Sequence, residues 1–299
     1  MTLGIVILNW NQSSDTIACA RLAQSWPIAD KRIWVVDNAS RPEEVEALST
    51  GLTDMQVIYS PTNRGFAGGN NLALTRALEA GCWSVLLFNN DAHASGDAIQ
   101  HLQATLETHQ RAGIVGPVLM DAAAPGRLLA AGGRDIGRHL TSHILDPLAP
   151  GELRPTDYVP GTCALIRSQV LYQVGLLDED YFFGGELADL CARARAAGWR
   201  CVVDGSAIVH HAVDRSSAVR RDLHSYYVIR NRFLYVRKFR SRHWPASFVR
   251  WTLYSLYAGA TAVWQGNLNQ AHAIGLGCLD GWRGRFGGQN ARVTGGRLV

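Results

Sequence analysis

Four short apolar runs in the first 120 residues, each followed by a polar turn, constrain the fold more than any other feature. They predict strands at Leu3–Leu8, Arg32–Val36, Gln56–Tyr59 and Trp83–Phe88. Helical patterns lie near Asp15–Gln24, Pro42–Leu48, Ala67–Ala80 and Asp97–Arg111. Because nearly continuous apolar strands alternate with helices, we expect an α/β fold with a mostly parallel sheet that is covered by helices on both faces.

Asn and Asp residues follow all four predicted strands. The four polar segments are Asn9-Trp10-Asn11, Asp37-Asn38-Ala39-Ser40, Asn63–Asn71 and Asn89-Asn90-Asp91. One such segment is ordinary turn chemistry. In open α/β sheets, however, ligands bind beyond the carboxyl ends of the strands. Four polar ends therefore predict one continuous ligand cleft.

The segment Asn63–Asn71 is rich in glycine and opens a helix after a strand. Glycine lets a backbone approach a diphosphate closely, and a helix N-terminus offers free N–H groups to an anion. Arg64 could add charge-assisted hydrogen bonds. The alternative is a glycine-rich turn that packs a helix against the sheet.

Two further positions suit a divalent cation. Asp91 ends the fourth strand, and a carboxylate there could hold Mg²⁺ or Mn²⁺, which prefer oxygen ligands. His210 and His211 end a later apolar run and could supply a nitrogen ligand. The alternatives are an Asn/Asp turn and strand-end histidines with hydrogen-bond partners.

A pair of carboxylates lies in the first turn of a helix predicted over Glu186–Ala197. Glu186 and Asp189 are three residues apart, and the positive helix end favours the ionised form that a general base needs. Acids at a helix start also occur for the dipole alone. The preceding Gly184-Gly185 and the aromatic run Tyr181–Phe183 favour a ligand site.

Weaker patterns complete the chain. Residues 127–155 are rich in Gly, Pro and Arg and predict a variable connection. Beyond it we expect a strand over Tyr158–Ile166, a short helix that ends at Gly175, and strands near Arg200–Val203 and Ala207–Val209.

The composition, 47% hydrophobic and 18% charged, excludes a disordered chain. The 6 cysteines are scattered without a Cys-x-x-Cys pair, which argues against disulfides or a zinc site and favours a reducing compartment. The start of the chain lacks the basic and apolar pattern of a signal peptide.

The net charge of +4 is divided unevenly along the chain. Residues 1–214 hold 15 Lys+Arg and 23 Asp+Glu, whereas residues 215–299 hold 14 and 2, a balance of −8 against +12. Arg220–Arg242 predicts a basic helix interleaved with aromatic residues, and Trp251–Trp264 is uncharged and rich in aromatics. Those 14 residues are short for a membrane span of about 20. We therefore expect a helix in the membrane interface.

Taken in this order, the motifs resemble the family-2 inverting glycosyltransferases of the GT-A fold, a Rossmann-like fold, and especially their rhamnosyltransferase-like branch. The resemblance runs from residue 3 to about 215. The matching segments are Ile5–Asn11, Val35–Ser40, Asn63–Asn71, Phe88–Asp91, Pro160–Arg167, Asp178–Trp199 and Ile208–His211. It implies a GT-A domain over residues 1–215, and the basic, aromatic-rich pattern beyond it predicts a helical, membrane-associated region over 216–299.

The resemblance also implies roles for individual residues. Asn9, Asp37 and Asn38 would hold the nucleotide, while Arg64, Gly69 and Asn70 would lie beside the donor diphosphate and sugar. The family's Asp-x-Asp motif falls on Asn89-Asn90-Asp91, so Asn89 joins the donor site and Asp91 is the one carboxylate for Mg²⁺ or Mn²⁺. The family's metal-binding histidine matches His210 best, with His211 second. Glu186 would be the general base, with Asp189 in reserve.

The implied function is inverting transfer of a sugar, with rhamnose as the first guess, from a dTDP- or UDP-sugar. The acceptor would be a hydroxyl of a polysaccharide or polyprenol-linked glycan precursor. The location would be cytoplasmic, at the inner face of the cell membrane, with no nucleic-acid partner. The rivals are a GT-A nucleotidyltransferase and a non-enzymatic nucleic-acid binder. The first lacks its phosphate loop after the opening strand, where Asn9-Trp10-Asn11-Gln12 stands. The second lacks a recognisable binding module.

Overall fold

The alternating strands and helices predicted for the N-terminal half are confirmed in a computed structural model, which describes residues 1–212, 217–240 and 244–295. In chain order they are β1 (Leu3–Asn9), α1 (Ser13–Ser25), β2 (Lys31–Asp37), α2 (Pro42–Gly51), β3 (Gln56–Tyr59), α3 (Gly65–Glu79), β4 (Ser84–Phe88), β5 (Ala92–Ala94) and α4 (Gly96–Thr108). The bounds agree with the sequence prediction to within a few residues, except that β5 was not predicted.

The second half of the domain holds more strands than its sequence predicts. It contains β6 (Ala112–Asp121), β7 (Leu128–Ala130), β8 (Leu153–Pro155), β9 (Cys163–Arg167), α5 (Ser168–Val174), a 3₁₀ turn (Glu179–Tyr181), α6 (Glu186–Ala196) and β10 (Arg200–His211). The variable connection thus carries two short strands, β7 and β8. The strand expected from Tyr158 begins only at Cys163, after Pro160 and Gly161. The two strands expected after Arg200 are one, β10.

The described part of the chain forms one ten-stranded sheet in the order β3-β2-β1-β4-β9-β6-β10-β5, with β7 on β6 and β8 on β10. The strands β3, β2, β1 and β4 are parallel to one another, as predicted. β9 lies antiparallel to both β4 and β6. The expectation of a mostly parallel sheet is therefore wrong for the second half, where the sheet is mixed. An apolar strand has the same pattern whichever way its neighbours run.

Strand side chains alternate between two cores, one on each face of the sheet. In β1, Ile5 and Ile7 enter the core formed with α1, α2 and α4. Val6 enters the core formed with α3, α5 and α6. Helices cover both faces of the sheet. We therefore expect a ligand to bind at the carboxyl ends of β1, β2 and β4.

Four further helices follow the sheet: α7 (Ala218–Phe239), α8 (Trp244–Trp264), α9 (Leu268–Arg283) and α10 (Asn290–Thr294). Phe233 of α7, Phe248 of α8 and Trp282 of α9 meet in a small aromatic core. The helical character predicted for this region is confirmed. No helix among the described residues combines the length and apolarity that a membrane crossing requires.

Some arginines of the basic helix α7 are buried rather than exposed to solvent. Arg232 is buried against the Trp251 ring and donates to the carbonyls of Ile136 and His139, each at 2.8 Å. Its burial lowers its pKa to about 10. Part of the positive charge of this region therefore holds α7 on the sheet domain, which a count of residues could not show.

Candidate active site

The ends of β1 and β2 are joined by buried polar side chains. The Asn9 amide donates to Asp37 Oδ1 at 2.9 Å and to Ser40 Oγ at 3.1 Å, and Asn9 Oδ1 accepts from Thr16 Oγ1 at 2.8 Å. The backbone N–H of Ser40 donates to the other Asp37 oxygen. Asn9 and Asp37 are almost fully buried. They fix the two loops in this structure, and their contact with a nucleotide stays a prediction.

Asn38 connects this network to the glycine-rich segment. Its amide donates to Asn63 Oδ1 and to the Gly65 carbonyl, both at 3.1 Å, and its Oδ1 accepts from the Arg64 N–H. Its neighbour Ala39 has φ +60, which is uncommon for a residue with a side chain. Such strain persists only where the surroundings enforce it, and it concentrates at functional sites.

The glycine-rich segment packs closely on the sheet, as expected for a glycine-rich turn that packs a helix against it. A Cβ at Gly69 would lie 2.6 Å from Leu8 Cδ1 and 3.2 Å from Asn38 Cγ. The Asn70 amide donates to the Phe66 carbonyl at 2.8 Å within α3. Neither residue faces open space, so the close approach at Gly69 serves the contact of α3 with β1.

Arg64 is paired with a residue that the sequence did not single out. Its Nη2 lies 3.0 Å from both carboxylate oxygens of Glu179, and both side chains are partly exposed. Asn71 also donates to Glu179 Oε1, at 3.2 Å. To reach a donor diphosphate, Arg64 would have to exchange this carboxylate for a phosphate, which is a chemically similar bidentate partner.

The histidine beside Asp91 is His211. The Nε2 atom of His211 lies 3.1 Å from Asp91 Oδ1. That oxygen is buried and accepts no hydrogen bond of good geometry from the described residues. His210 lies on the opposite face of β10, since successive residues of a strand alternate, and it is exposed. The register of β10 thus places His211, the second choice, beside Asp91, and the identity of the metal-binding histidine stays a prediction.

The donor set at Asp91 fits a divalent cation with one carboxylate and one imidazole. Within residues 1–212, 217–240 and 244–295, no group of three or more His, Cys, Asp or Glu side chains could enclose a metal ion. The orphaned Asp91 oxygen beside a histidine nitrogen is the arrangement that a shared cation would satisfy. Remaining ligands would come from diphosphate and water, as is usual for Mg²⁺.

The segment before β9 connects the metal corner to α6. The Thr162 carbonyl accepts from the Asn89 N–H at 2.9 Å, and Thr162 Oγ1 lies 3.5 Å from His211 Nδ1. A Cβ at Gly161 would lie 3.3 Å from Leu187 Cδ2. Asn89, predicted for the donor site, thus contacts Thr162, which also lies near His211. The residue before Thr162 is Gly161, which packs against α6.

Glu186 begins α6 in a buried position. Its Oε2 has no hydrogen-bond partner among the described residues. Burial raises the pKa of this carboxyl to about 7, and the backbone N–H groups of Glu186 and Gly184 only partly offset that rise. The preceding Gly185 has φ +105, and a Cβ there would lie 2.9 Å from Tyr181 Cδ1, so glycine is needed at this helix entry. A carboxyl that titrates near neutral pH suits a general base.

Asp189 is occupied by two cations. Its Oδ1 lies 2.6 Å from Arg193 Nε, and its Oδ2 is paired with Lys238 of α7. Lys238 also contacts Asp178 Oδ2 at 2.6 Å, and it holds the pKa of Asp178 below its ordinary value against the opposing effect of burial. Asp189 is fully buried. These contacts argue against Asp189 as the reserve base and give it a structural role.

Two residues of α7 hold the segment that leads to Glu186. Asn231 donates to the carbonyls of Tyr181 and Phe183, each at 2.9 Å, and also to that of Gly184. Arg230 donates to the carbonyls of Asp180 at 2.9 Å and Tyr181 at 2.8 Å, and its Nε donates to Asn231 Oδ1. Both side chains are buried. We call this pair the α7 clamp.

The clamped segment also contacts the glycine-rich loop. Phe182 has φ +60, and its carbonyl accepts from the Ala67 N–H at 3.3 Å. The donor loop and the segment that leads to Glu186 are therefore in direct contact. The clamp and Glu179 were missed from the sequence. The one signal that could have found the clamp is the polar Arg230-Asn231 pair inside an aromatic run.

A sequence model of glycosyl transferase family 2 matches residues 5–175. The chain belongs to glycosyl transferase family 2. This confirms the family predicted from the motifs. The match ends before Glu186, Asp189 and His211, so their assignment rests on geometry and on the resemblance of the motifs.

Two curated relatives are similar to this chain. One is the low-salt glycan biosynthesis hexosyltransferase Agl10 of Haloferax volcanii, 32% identical over 208 residues, which are 67% of this chain and 65% of the relative. The other is an N-acetylglucosaminyl-diphospho-decaprenol L-rhamnosyltransferase of Mycobacterium tuberculosis, 26% identical over 264 residues, 79% of this chain and 83% of the relative. The chain thus spans just under two thirds of the first relative's length.

The fold is shared with a solved transferase. A mannosyltransferase from Pyrobaculum calidifontis, in complex with GDP-Man and Mn²⁺, has a TM-score of 0.60 at 12% sequence identity and covers 95% of this chain and 87% of its own. At that identity the similarity shows the GT-A fold. It confirms the fold class, with a mixed sheet in place of a mostly parallel one.

Proposed function

We propose that this protein is an inverting glycosyltransferase that moves a sugar from a nucleoside diphosphate donor to a hydroxyl of a glycan or lipid-linked precursor. Family membership supports the reaction class. The observation that carries the mechanism is Glu186, whose buried carboxyl has an unpartnered oxygen and a pKa near neutrality.

Glu186 would remove the proton from the acceptor hydroxyl as that oxygen attacks the anomeric carbon. Base catalysis of this kind contributes about 10²–10⁴-fold to a rate. The departing diphosphate leaves from the opposite face, so the configuration inverts. Gly184 carries no side chain, and an added Cβ there would lie 4.0 Å from Val228 Cγ2, so this segment leaves room for an acceptor. The α7 clamp fixes the backbone segment that positions the Glu186 carboxyl.

Asp91 and His211 are the residues that would hold Mg²⁺ or Mn²⁺. The cation would supply positive charge against the departing diphosphate. Arg64 would add a second positive charge on release from Glu179. Asn9, Asp37 and Asn38 keep the ends of β1 and β2 and the donor loop in one arrangement, so that little reorganisation is needed when a donor binds.

The relatives guide the choice of substrates. One is named a hexosyltransferase and the other a rhamnosyltransferase acting on a decaprenol-linked sugar. We therefore propose dTDP-rhamnose or a UDP-hexose as donor and a polyprenol-diphosphate sugar as acceptor. We propose the cytoplasmic face of the cell membrane as the location; the free thiols of the 6 cysteines are compatible with it.

A donor and acceptor panel tests the proposal. Purified protein is incubated with dTDP-rhamnose, UDP-glucose, UDP-N-acetylglucosamine and GDP-mannose, with Mn²⁺, Mg²⁺ or chelator, and with or without a short-chain polyprenol-diphosphate N-acetylglucosamine. We expect acceptor-dependent release of one nucleoside diphosphate and an inverted anomeric centre by NMR. In a parallel incubation with a sugar phosphate and a nucleoside triphosphate, formation of a sugar nucleotide and diphosphate would favour the nucleotidyltransferase instead.

A further inference from the structure

Helix α8 is apolar on two opposite faces, and only one of them is covered. Phe248, Trp251, Ser255 and Ala262 are buried against the neighbouring helices. Leu256, Tyr257 and Trp264 are 65%, 70% and 87% exposed. A helix that is apolar all round belongs in an apolar environment on all sides.

The exposed side of α8 is a continuous stripe. At 100° per residue it spans an arc of about 120°. Its members are Val249, Leu253, Leu256, Tyr257, Ala260, Val263 and Trp264. Monomeric soluble proteins rarely expose contiguous apolar patches larger than a few hundred Å². A stripe of this length, with aromatic residues in it, therefore indicates a contact surface.

Helix α9 extends the stripe sideways. The Trp282 indole N–H donates to Thr252 Oγ1 of α8 at 2.7 Å, and the Trp282 ring stays partly exposed. Leu279, one turn earlier, is also exposed, as is Leu268 at the start of α9. We call the α8 stripe together with Leu268, Leu279 and Trp282 the docking surface.

The charge around the docking surface has one sign. From residue 217 onward the sequence holds two acidic side chains, Asp222 and Asp280, and both are buried. The described cations Arg221, Arg250, Arg283 and Arg285 are exposed. An apolar stripe is complementary to an anionic lipid surface when, as among the described residues from 217 onward, arginines are exposed and no carboxylate is.

We propose that the docking surface binds an anionic membrane, with α8 lying in the plane of the interface. Arg250 and Arg283 would reach the headgroups while Leu253, Leu256 and Trp264 enter the acyl boundary. A second copy of this chain is a worse partner, because two surfaces that carry the same positive border would repel each other. Membrane binding would bring the active site to a lipid-linked acceptor, and in this respect alone the inference rests on the proposed function.

Vesicle flotation tests the docking surface without donor or acceptor. The full chain is mixed with vesicles of phosphatidylcholine alone or with one third phosphatidylglycerol, and bound protein is measured at low and high salt. We expect binding to the anionic vesicles that weakens with salt. A Leu253→Glu/Leu256→Glu variant should lose at least tenfold in partitioning.

The matched control is Leu140→Glu/Leu145→Glu, which adds the same charge at leucines that are 49% and 61% exposed outside α8. It should bind vesicles as the wild type does, and all three proteins should unfold at similar temperatures. Wild-type binding by the α8 variant, or equal binding of wild type to uncharged vesicles, would overturn the proposal. The proposal would also be overturned if light scattering showed that the wild type is a dimer that does not float with vesicles, and that the α8 variant is a monomer. Because transfer to the short-chain acceptor is assayed without vesicles, failure of docking and failure of the enzymatic proposal are distinguishable.

Discussion

His211 Nε2 lies 3.1 Å from Asp91 Oδ1, which places the end of β10 against the loop after β4. The contact joins two segments 120 residues apart in sequence at the edge of the sheet where the donor loops lie. It also selects one histidine of an adjacent pair, because His210 points to the other face of the strand.

Metal binding should depend on His211 and not on His210. We expect His211→Ala and Asp91→Asn each to weaken Mn²⁺ binding in the presence of a nucleoside diphosphate by about tenfold or more, since each removes one of two protein ligands. His210→Ala is the matched control and should bind as the wild type does. Calorimetric titration measures all three. Loss of affinity in His210→Ala with His211→Ala unaffected would restore the original preference.

Asp189 should matter for stability more than for chemistry. Asp189→Asn leaves Lys238 and Arg193 without their shared buried carboxylate, and breaking such a pair costs about 3 kcal/mol. Urea unfolding should show that loss, while the folded variant keeps kcat within about tenfold of wild type. A variant that unfolds normally but has no transfer activity would make Asp189 the base.

The α7 clamp should act on turnover. Asn231→Ala removes the donors to three carbonyls of the segment before Glu186, and a shift of about 1 Å in a catalytic group can lower a rate about a hundredfold. We expect kcat to fall on that scale with donor affinity unchanged, and the near-isosteric Asn231→Asp to fare no better because it cannot donate. Asn269→Ala, at an exposed position of α9, is the control. Equal losses in kcat and donor affinity would indicate general disruption.

Stability should depend on pH through Glu186. Its pKa is raised from 4.5 to about 7 by burial, so between those values the folded protein holds a proton that the unfolded chain releases. The free energy of unfolding therefore falls as pH rises through this window. Glu186→Gln should match the wild type below pH 4.5 and be more stable by about 3 kcal/mol above pH 7. Denaturant unfolding across pH measures the difference, and parallel curves would contradict the burial of an ionising carboxyl.

The first half of the fold was predictable because its strands are uninterrupted apolar runs. β6 was missed since Gly113, Gly116 and Pro117 interrupt its pattern. β10 was divided in two because Asp204-Gly205-Ser206 has the composition of a turn, and the structure instead takes up these residues in a register shift between Asp204 and Ile208. The antiparallel β9 depends on partners that no local pattern specifies.

For the site, the sequence identified the regions and the structure assigned the partners. That Asn9, Asp37 and Asn38 hold the nucleotide stays a prediction; their hydrogen bonds in the structure are made to one another and to neighbouring loops. Glu186 and Asp189 look equivalent in a helical repeat, and the pairing of Asp189 with Arg193 and with Lys238, 49 residues away, distinguishes them. Burial of Arg230 and Arg232 was likewise invisible in a count of charges.

The turnover of Glu186→Gln tests most directly whether Glu186 is the general base. With the donor and acceptor found in the panel, we expect kcat to fall at least about a hundredfold while the dissociation constant of the donor with Mn²⁺ changes little. Glu43→Gln, at an exposed position of α2, should behave as the wild type. In the wild type, kcat should rise with pH to a plateau above about pH 7, following the Glu186 carboxyl. Near wild-type transfer by Glu186→Gln would contradict the account.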